Sequence, residues 1–79
     1  MVRIRLFAAL REAAGVAEVQ LPPGTLGEVL AELRGRFDER FAAVLGYSSV
    51  LVDGERSSDP AVIVPDGAEV ALLPPYSGG

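Results

Sequence analysis

The sequence predicts an α+β domain in which one main helix packs on one face of a mixed sheet. Three observations carry this: apolar residues alternate at the N-terminus, an apolar stripe at helical spacing follows a capping signal near residue 25, and short apolar runs are joined by two Asp-Gly turns in the last third. Val2, Ile4 and Leu6 alternate with Arg3, Arg5 and Phe7, so the first strand has one buried face and Phe7 falls on the other. Ala8 to Ala14 favours a short helical turn, and Gly15 stands where a left-handed cap would end it. Val16 to Leu21 reads as a second short strand.

Pro22-Pro23-Gly24 interrupts regular structure, and Thr25-Leu26-Gly27-Glu28 then has capping-box spacing. Leu26, Val29, Leu30, Leu33 and Phe37 recur at helical intervals, while Glu28, Glu32, Arg34 and Arg36 fall largely on the other side. Phe41, Val44 and Leu45 continue the packing through a second turn ending near Gly46. Val50-Leu51-Val52 leads into Asp53-Gly54, a pair that tolerates the positive φ angles of a tight hairpin, and Glu55-Arg56 begins the return. Ser57 to Pro60 is a loop, Val62 to Val64 a short extended piece, and Asp66-Gly67 a second turn before a strand over Ala68 to Leu73.

A hairpin, a helix crossing one face and a final strand able to lie beside the first describe a β-grasp. The helix stripe around Leu30 and Leu33 is expected to cover Ile4, Leu6, Val19, Val52, Val70 and Leu72. Seventy-nine residues suit a single domain, 1–79, with 75–79 as a C-terminal tail.

The composition narrows the chemistry. There is no cysteine and no histidine, so disulfides, thiolate or imidazole metal ligands and the commonest catalytic bases and nucleophiles are absent. Asp38-Glu39 and Asp53 with Glu55 are the nearest approach to a carboxylate pair, and they sit where turns and solvated helix ends carry charge. Eleven acidic residues against seven basic ones give a net charge of −4, which opposes binding to nucleic acid or to anionic membrane surfaces. No run approaches the ~20 apolar residues of a membrane span, so the expectation is a soluble, cytoplasmic chain that is not an enzyme by itself. All seven basic residues are arginine, leaving the N-terminal amine as the one amine able to attack an activated carboxyl group.

What remains is the tail. Leu72-Leu73 runs through Pro74-Pro75-Tyr76-Ser77 into Gly78-Gly79. The prolines stiffen the exit from the sheet, and the glycines remove bulk that would jam a narrow channel. Residues 75–79 extend at most about 16–18 Å, enough to enter a deep pocket on another protein. Joined to AMP, a carboxylate at Gly79 becomes an anhydride that sulfur or an amine can displace.

Two phrases then carry a resemblance across the whole chain. Phe7-Ala8-Ala9-Leu10-Arg11-Glu12-Ala13-Ala14-Gly15 and Asp66-Gly67-Ala68-Glu69-Val70-Ala71-Leu72-Leu73-Pro74-Pro75-Tyr76-Ser77-Gly78-Gly79 resemble the opening and closing segments of the ubiquitin-like sulfur-carrier family, most closely of molybdopterin synthase small subunits. The thiamine-pathway carriers usually lack the paired prolines. The resemblance implies that Gly79 is adenylated by an E1-like activating enzyme using ATP, with no cofactor bound to this chain, and receives sulfur from a sulfur-donating enzyme as a thiocarboxylate. It implies a heterotetramer with the large synthase subunit, whose residues catalyse transfer of that sulfur to a cyclic pyranopterin precursor, two cycles giving one dithiolene. Gly78 would then give clearance, Pro74, Pro75, Tyr76 and Ser77 would line the channel, and Phe7 and Leu73 would form an exposed apolar patch that grips both partners.

Two positions depart from the family pattern: Asp53 stands where asparagine is common, and Tyr76-Ser77 replaces a smaller pair. The residues also admit a sulfur carrier for another product, such as thiolated tRNA, thiamine or cysteine, a ubiquitin-like modifier of proteins, and a β-grasp interaction module with an inert tail.

Overall fold

The computed structural model describes residues 1–75. Strand β1 (Val2–Leu6) pairs antiparallel with β2 (Glu18–Leu21) and parallel with β7 (Glu69–Leu73). Ile4 lies opposite Val19 on one side and Val70 on the other, so all three point to the same face. Strand β4 (Ser49–Val52) runs antiparallel to β7, and β5 (Glu55–Arg56) closes the edge, giving the order β2-β1-β7-β4-β5. The parallel β1–β7 pair requires a long connection, and the helices supply it. This is the β-grasp topology that the sequence predicts.

Helix α1 (Ala8–Ala14) follows β1 directly and ends at Gly15, whose φ of 77° lets its N–H donate to the Arg11 carbonyl at 2.9 Å. Helix α2 (Leu26–Arg36) starts on the complete capping box: the Glu28 N–H donates to Thr25 Oγ1 at 3.2 Å, and the Thr25 N–H donates to Glu28 Oε1 at 2.9 Å. The two N–H groups that follow the cap are also satisfied, Leu26 by the Val62 carbonyl and Gly27 by the Pro60 carbonyl. These bonds continue a two-stranded ladder of β3 (Gly24–Thr25) with β6 (Ile63–Val64), a small second sheet that the sequence reading did not contain.

The apolar run after α2 is a separate helix, not a further turn of the same packing. Phe37 takes an extended backbone as the C-cap of α2, and the Asp38 carboxylate accepts the Phe41 N–H at 3.1 Å to start α3 (Glu39–Leu45). One residue of Asp38-Glu39, read as solvated charge, is thus a cap. Phe41 is fully buried, and its ring lies 4.6 Å from that of Phe37. Leu26, Val29 and Leu33 are buried beneath α2, Leu30 partly so. They cover Ile4, Leu6, Val70 and Leu72, which are buried, and Val19 and Val52, which are half-buried.

Both Asp-Gly turns form. Asp53 and Gly54 have φ of 49° and 85°, the two positive angles of a type I′ hairpin, and Gly67 has φ of 86°. Asp53 does more than turn the chain: its carboxylate accepts the Glu69 N–H at 2.9 Å, and its own N–H donates to the Glu69 carbonyl at 2.8 Å. The short hairpin is thereby tied to the start of the central strand.

Candidate functional site: the strand exit and its apolar face

The strand that leads into the tail is the middle one of five. Its C-terminal end emerges between the end of β1, where Leu6 faces Leu72, and the start of β4, where Ser49 faces Leu73. A chain leaving here is held on both sides up to Leu73. Pro74 is half-buried and Pro75 exposed. Tyr76, Ser77, Gly78 and Gly79 lie outside the described residues.

On the sheet face away from the helices, register brings together an apolar group beside this exit. Ala71 sits between Arg5 and Leu51, and the β1–β7 register carried one step past Leu6 sets Phe7 beside Leu73. Phe7 ends β1 in an extended conformation and is the N-cap of α1, while Ala8, at a φ of 47° that costs a non-glycine residue energy, turns the chain sharply away from the sheet. Strand alternation alone leaves Phe7 and Leu73 exposed, whereas in the structure both are half-buried. Flanking strands shield Leu73, and Arg5 covers Phe7, its guanidinium carbon 5.2 Å from the ring centroid. Leu51 also belongs to the group, which the sequence reading missed. In Val50-Leu51-Val52 every residue is apolar, so the alternation that places Val50 and Val52 inward and Leu51 outward is invisible until the partner strand is known.

Charge borders the apolar group. Glu69 bonds the Arg3 guanidinium and lies 3.8 Å from that of Arg5, and Arg3 is 3.9 Å from Glu18. The hydrogen bond and the charge of Glu69, then the charge of Glu18, raise the Arg3 pKa above its ordinary value. Both arginines are therefore held along β1 in fixed company, next to an apolar surface. That arrangement suits docking by a protein partner, in which an apolar centre is rimmed by charge. Among the described residues there is no group of three or more His, Cys, Asp or Glu side chains placed to hold a metal, and no helix is long and apolar enough to cross a membrane.

The model of the ThiS family matches residues 4–79, the tail included. The chain belongs to this family of ubiquitin-like sulfur carriers. Among solved structures, the small archaeal modifier protein SAMP1 from Haloferax volcanii is 32% identical, aligns over 99% of this chain and 98% of its own, and superposes with a TM-score of 0.80. A putative molybdopterin converting factor subunit 1 from Pyrococcus furiosus is 29% identical over 94% of this chain and 95% of its own, with a TM-score of 0.75. A chain of the BexX/CysO complex from Amycolatopsis orientalis shares the fold at a TM-score of 0.82, with 22% identity and full coverage of both chains. The resemblance to sulfur carriers and to molybdopterin synthase small subunits is borne out at the level of the family.

Proposed function

We propose that this ThiS-family protein is the sulfur-carrier subunit of a molybdopterin synthase, and that the Gly79 carboxylate is its reacting group. The observation that carries the reading is the paired-proline exit, Pro74-Pro75, from the central strand beside the half-buried face of Phe7, Leu51 and Leu73. The body has a place to dock, and the chain leaves that place pointing beyond the sheet. The 29% identity with the Pyrococcus furiosus subunit supports the same pathway.

In this reading an E1-like enzyme joins the Gly79 carboxylate to AMP from ATP, releasing pyrophosphate. Sulfur from a sulfur-donating enzyme displaces AMP and leaves a thiocarboxylate. The apolar face docks the large synthase subunit, residues 74–78 thread its channel, and the terminal sulfur attacks the cyclic pyranopterin precursor, after which hydrolysis regenerates the carboxylate. The small subunit provides the sulfur and the fit; the catalytic groups belong to the large one.

The deciding experiment is intact mass spectrometry of untagged protein from its own cells after thiol-selective alkylation. With no cysteine in the chain, an adduct mapped to Gly79 identifies a thiocarboxylate, whereas a mass gain alone is ambiguous because oxidation of Met1 shifts the mass almost equally. Absence of any adduct on intact protein in cells containing the activating enzyme overturns the reading. The 32% identity with SAMP1 favours a second one, a protein modifier joined through Gly79 to lysines. It predicts branched Gly79–lysine peptides in digests of the same cells.

A further inference from the structure

The two edges of the five-stranded sheet are unlike. At one edge β5 is two residues long and both are charged, Glu55 and Arg56. At the other, β2 offers four residues, Glu18–Leu21, with Glu18 the one charge among them, and among the described residues no strand lies beyond it. Folded proteins guard an edge of this kind, because its unpaired N–H and C=O groups are a template for another strand. The register says which groups these are. The Leu6 N–H donates to the Ala17 carbonyl at 2.9 Å, so in the antiparallel β1–β2 pair Ala17, Val19 and Leu21 turn their backbone groups toward β1, and Glu18 and Gln20 turn theirs outward. Between this edge and the end of α2 lies an open trough of about 630 Å³ with Val16, Val19 and Phe37 as its apolar lining. Val16 is 46% exposed, and Val19 and Phe37 are half-buried.

We propose that β2 pairs with β2 of a second copy of this chain, antiparallel about a two-fold axis at Val19, so that one sheet runs through both copies. The residues select the partner and the register together. Centred on Val19, Glu18 of each copy faces Gln20 of the other; both outward residues exchange their backbone hydrogen bonds, and each carboxylate meets a carboxamide able to donate to it. Centred on Glu18, like charges would stand directly opposite each other. Centred on Gln20, the residue facing Glu18 would be Pro22, which has no N–H to give. The axis stands perpendicular to the sheet, so both copies keep their helices on one side, where the two troughs adjoin and Val19 meets Val19. Pairing thus removes from water the apolar surface at Val16 and Phe37 that a single copy leaves open. Phe7, Leu51 and Leu73 lie on the opposite face and stay free, so this contact and the proposed docking of a larger partner do not compete.

Sedimentation equilibrium and amide hydrogen exchange on the full 79-residue protein test this. So small an interface is expected to form at about 10–100 µM. Across that range the average mass should rise toward twice that of the chain, and the Glu18 and Gln20 amides should gain protection while that of Val19, already bonded to β1, changes little. Gln20→Glu sets a second carboxylate opposite Glu18 in both pairs and should weaken dimerisation about tenfold; the fold tolerates it, because residue 20 faces Arg3 across the β1–β2 pair. Exchanging the two residues, E18Q/Q20E, restores a carboxylate opposite a carboxamide at unchanged net charge and should restore wild-type association. Four outcomes overturn the proposal: a protein that stays monomeric throughout, a Gln20→Glu variant that associates as the wild type does, an E18Q/Q20E variant as weak as Gln20→Glu, or protection of the two outward amides that appears only when a different protein is added, which would assign the edge to that protein's strand.

Discussion

The Arg5 guanidinium lies over the Phe7 ring, 5.2 Å from carbon to centroid, while 3.8 Å from the Glu69 carboxylate. One side chain thus joins the apolar face to the charged network across β1 and β7. A partner that buries Phe7 also fixes Arg5, and an aromatic ring backed by arginine is the composition of interface centres that carry most of the binding energy. On the proposed function, Phe7→Ala should therefore weaken binding of a large synthase subunit about 30-fold, the equivalent of ~2 kcal/mol. The fold should lose only about 1 kcal/mol, because Phe7 is half-buried and outside the main core. Titration calorimetry beside thermal melts separates the two effects. Wild-type affinity in Phe7→Ala would remove this face from the docking surface.

Loss of Gly79, or addition of one residue after it, should abolish sulfur transfer and leave Tm within about 1–2 °C of wild type. Among the described residues the buried apolar side chains, from Val2 to Leu72, already form one continuous core. Melting curves and a single-turnover transfer assay check this together. A drop of 10 °C or more would mean that the terminus is part of the fold.

Local rules made the elements legible. Thr25 and Glu28, Gly15, and Asp53-Gly54 each specify backbone geometry within a few residues, and each forms as its chemistry requires. What needs the partner strand stayed hidden. Gly24-Thr25 has no strand signature because β3 exists only through its bonds to Ile63–Val64, and the outward turn of Leu51 depends on its place opposite Ala71. Asp38 was ambiguous for a related reason: a carboxylate beside apolar residues is charge or cap according to whether the chain breaks there, and the break comes from burial of Phe41 against the core. Of the candidate site, alternation alone places Phe7 and Leu73 on the face away from the helices, as the register has them; the tail beyond Pro75 lies outside the described residues.

Acid should loosen the molecule through two surface carboxylates. The Thr25 backbone and side-chain hydrogen bonds hold the Glu28 pKa below its usual value of 4.5, and the N-terminal ammonium, through its hydrogen bond and then its charge, holds that of Asp66 below 3.8. Both are depressed in the folded state, so their contributions are complete above the ordinary carboxylate values and are lost as pH falls through the depressed ones. Tm followed from about pH 5 to about pH 2 should decline, and the decline should be shallower in Glu28→Gln and Asp66→Asn. Glutamine keeps a neutral acceptor for the cap bond but not the charge, so Glu28→Gln should lie slightly below wild type near neutrality and converge with it in acid. An unchanged slope in both variants would show that other groups govern acid unfolding.

Gly35 and Gly27 belong to the same helix but differ in what surrounds them. A Cβ at Gly35 meets nothing within 4 Å, whereas one at Gly27 would lie 3.1 Å from Pro60 Cβ and 3.3 Å from the Pro60 carbonyl, the group that accepts the Gly27 N–H at 2.9 Å. Helix propensity favours alanine over glycine by up to about 1 kcal/mol at either position. At Gly35 that preference acts unopposed, and Gly35→Ala should raise stability by about 0.5–1 kcal/mol, a gain of several degrees in Tm for a domain of this size. At Gly27 the side chain would push Pro60 away and strain the bonds that join α2 to the 60–64 segment, so Gly27→Ala should bring no gain. Equal stabilisation by the two substitutions would mean that Pro60 yields freely and that the link between α2 and the small sheet contributes little to holding the helix on the core.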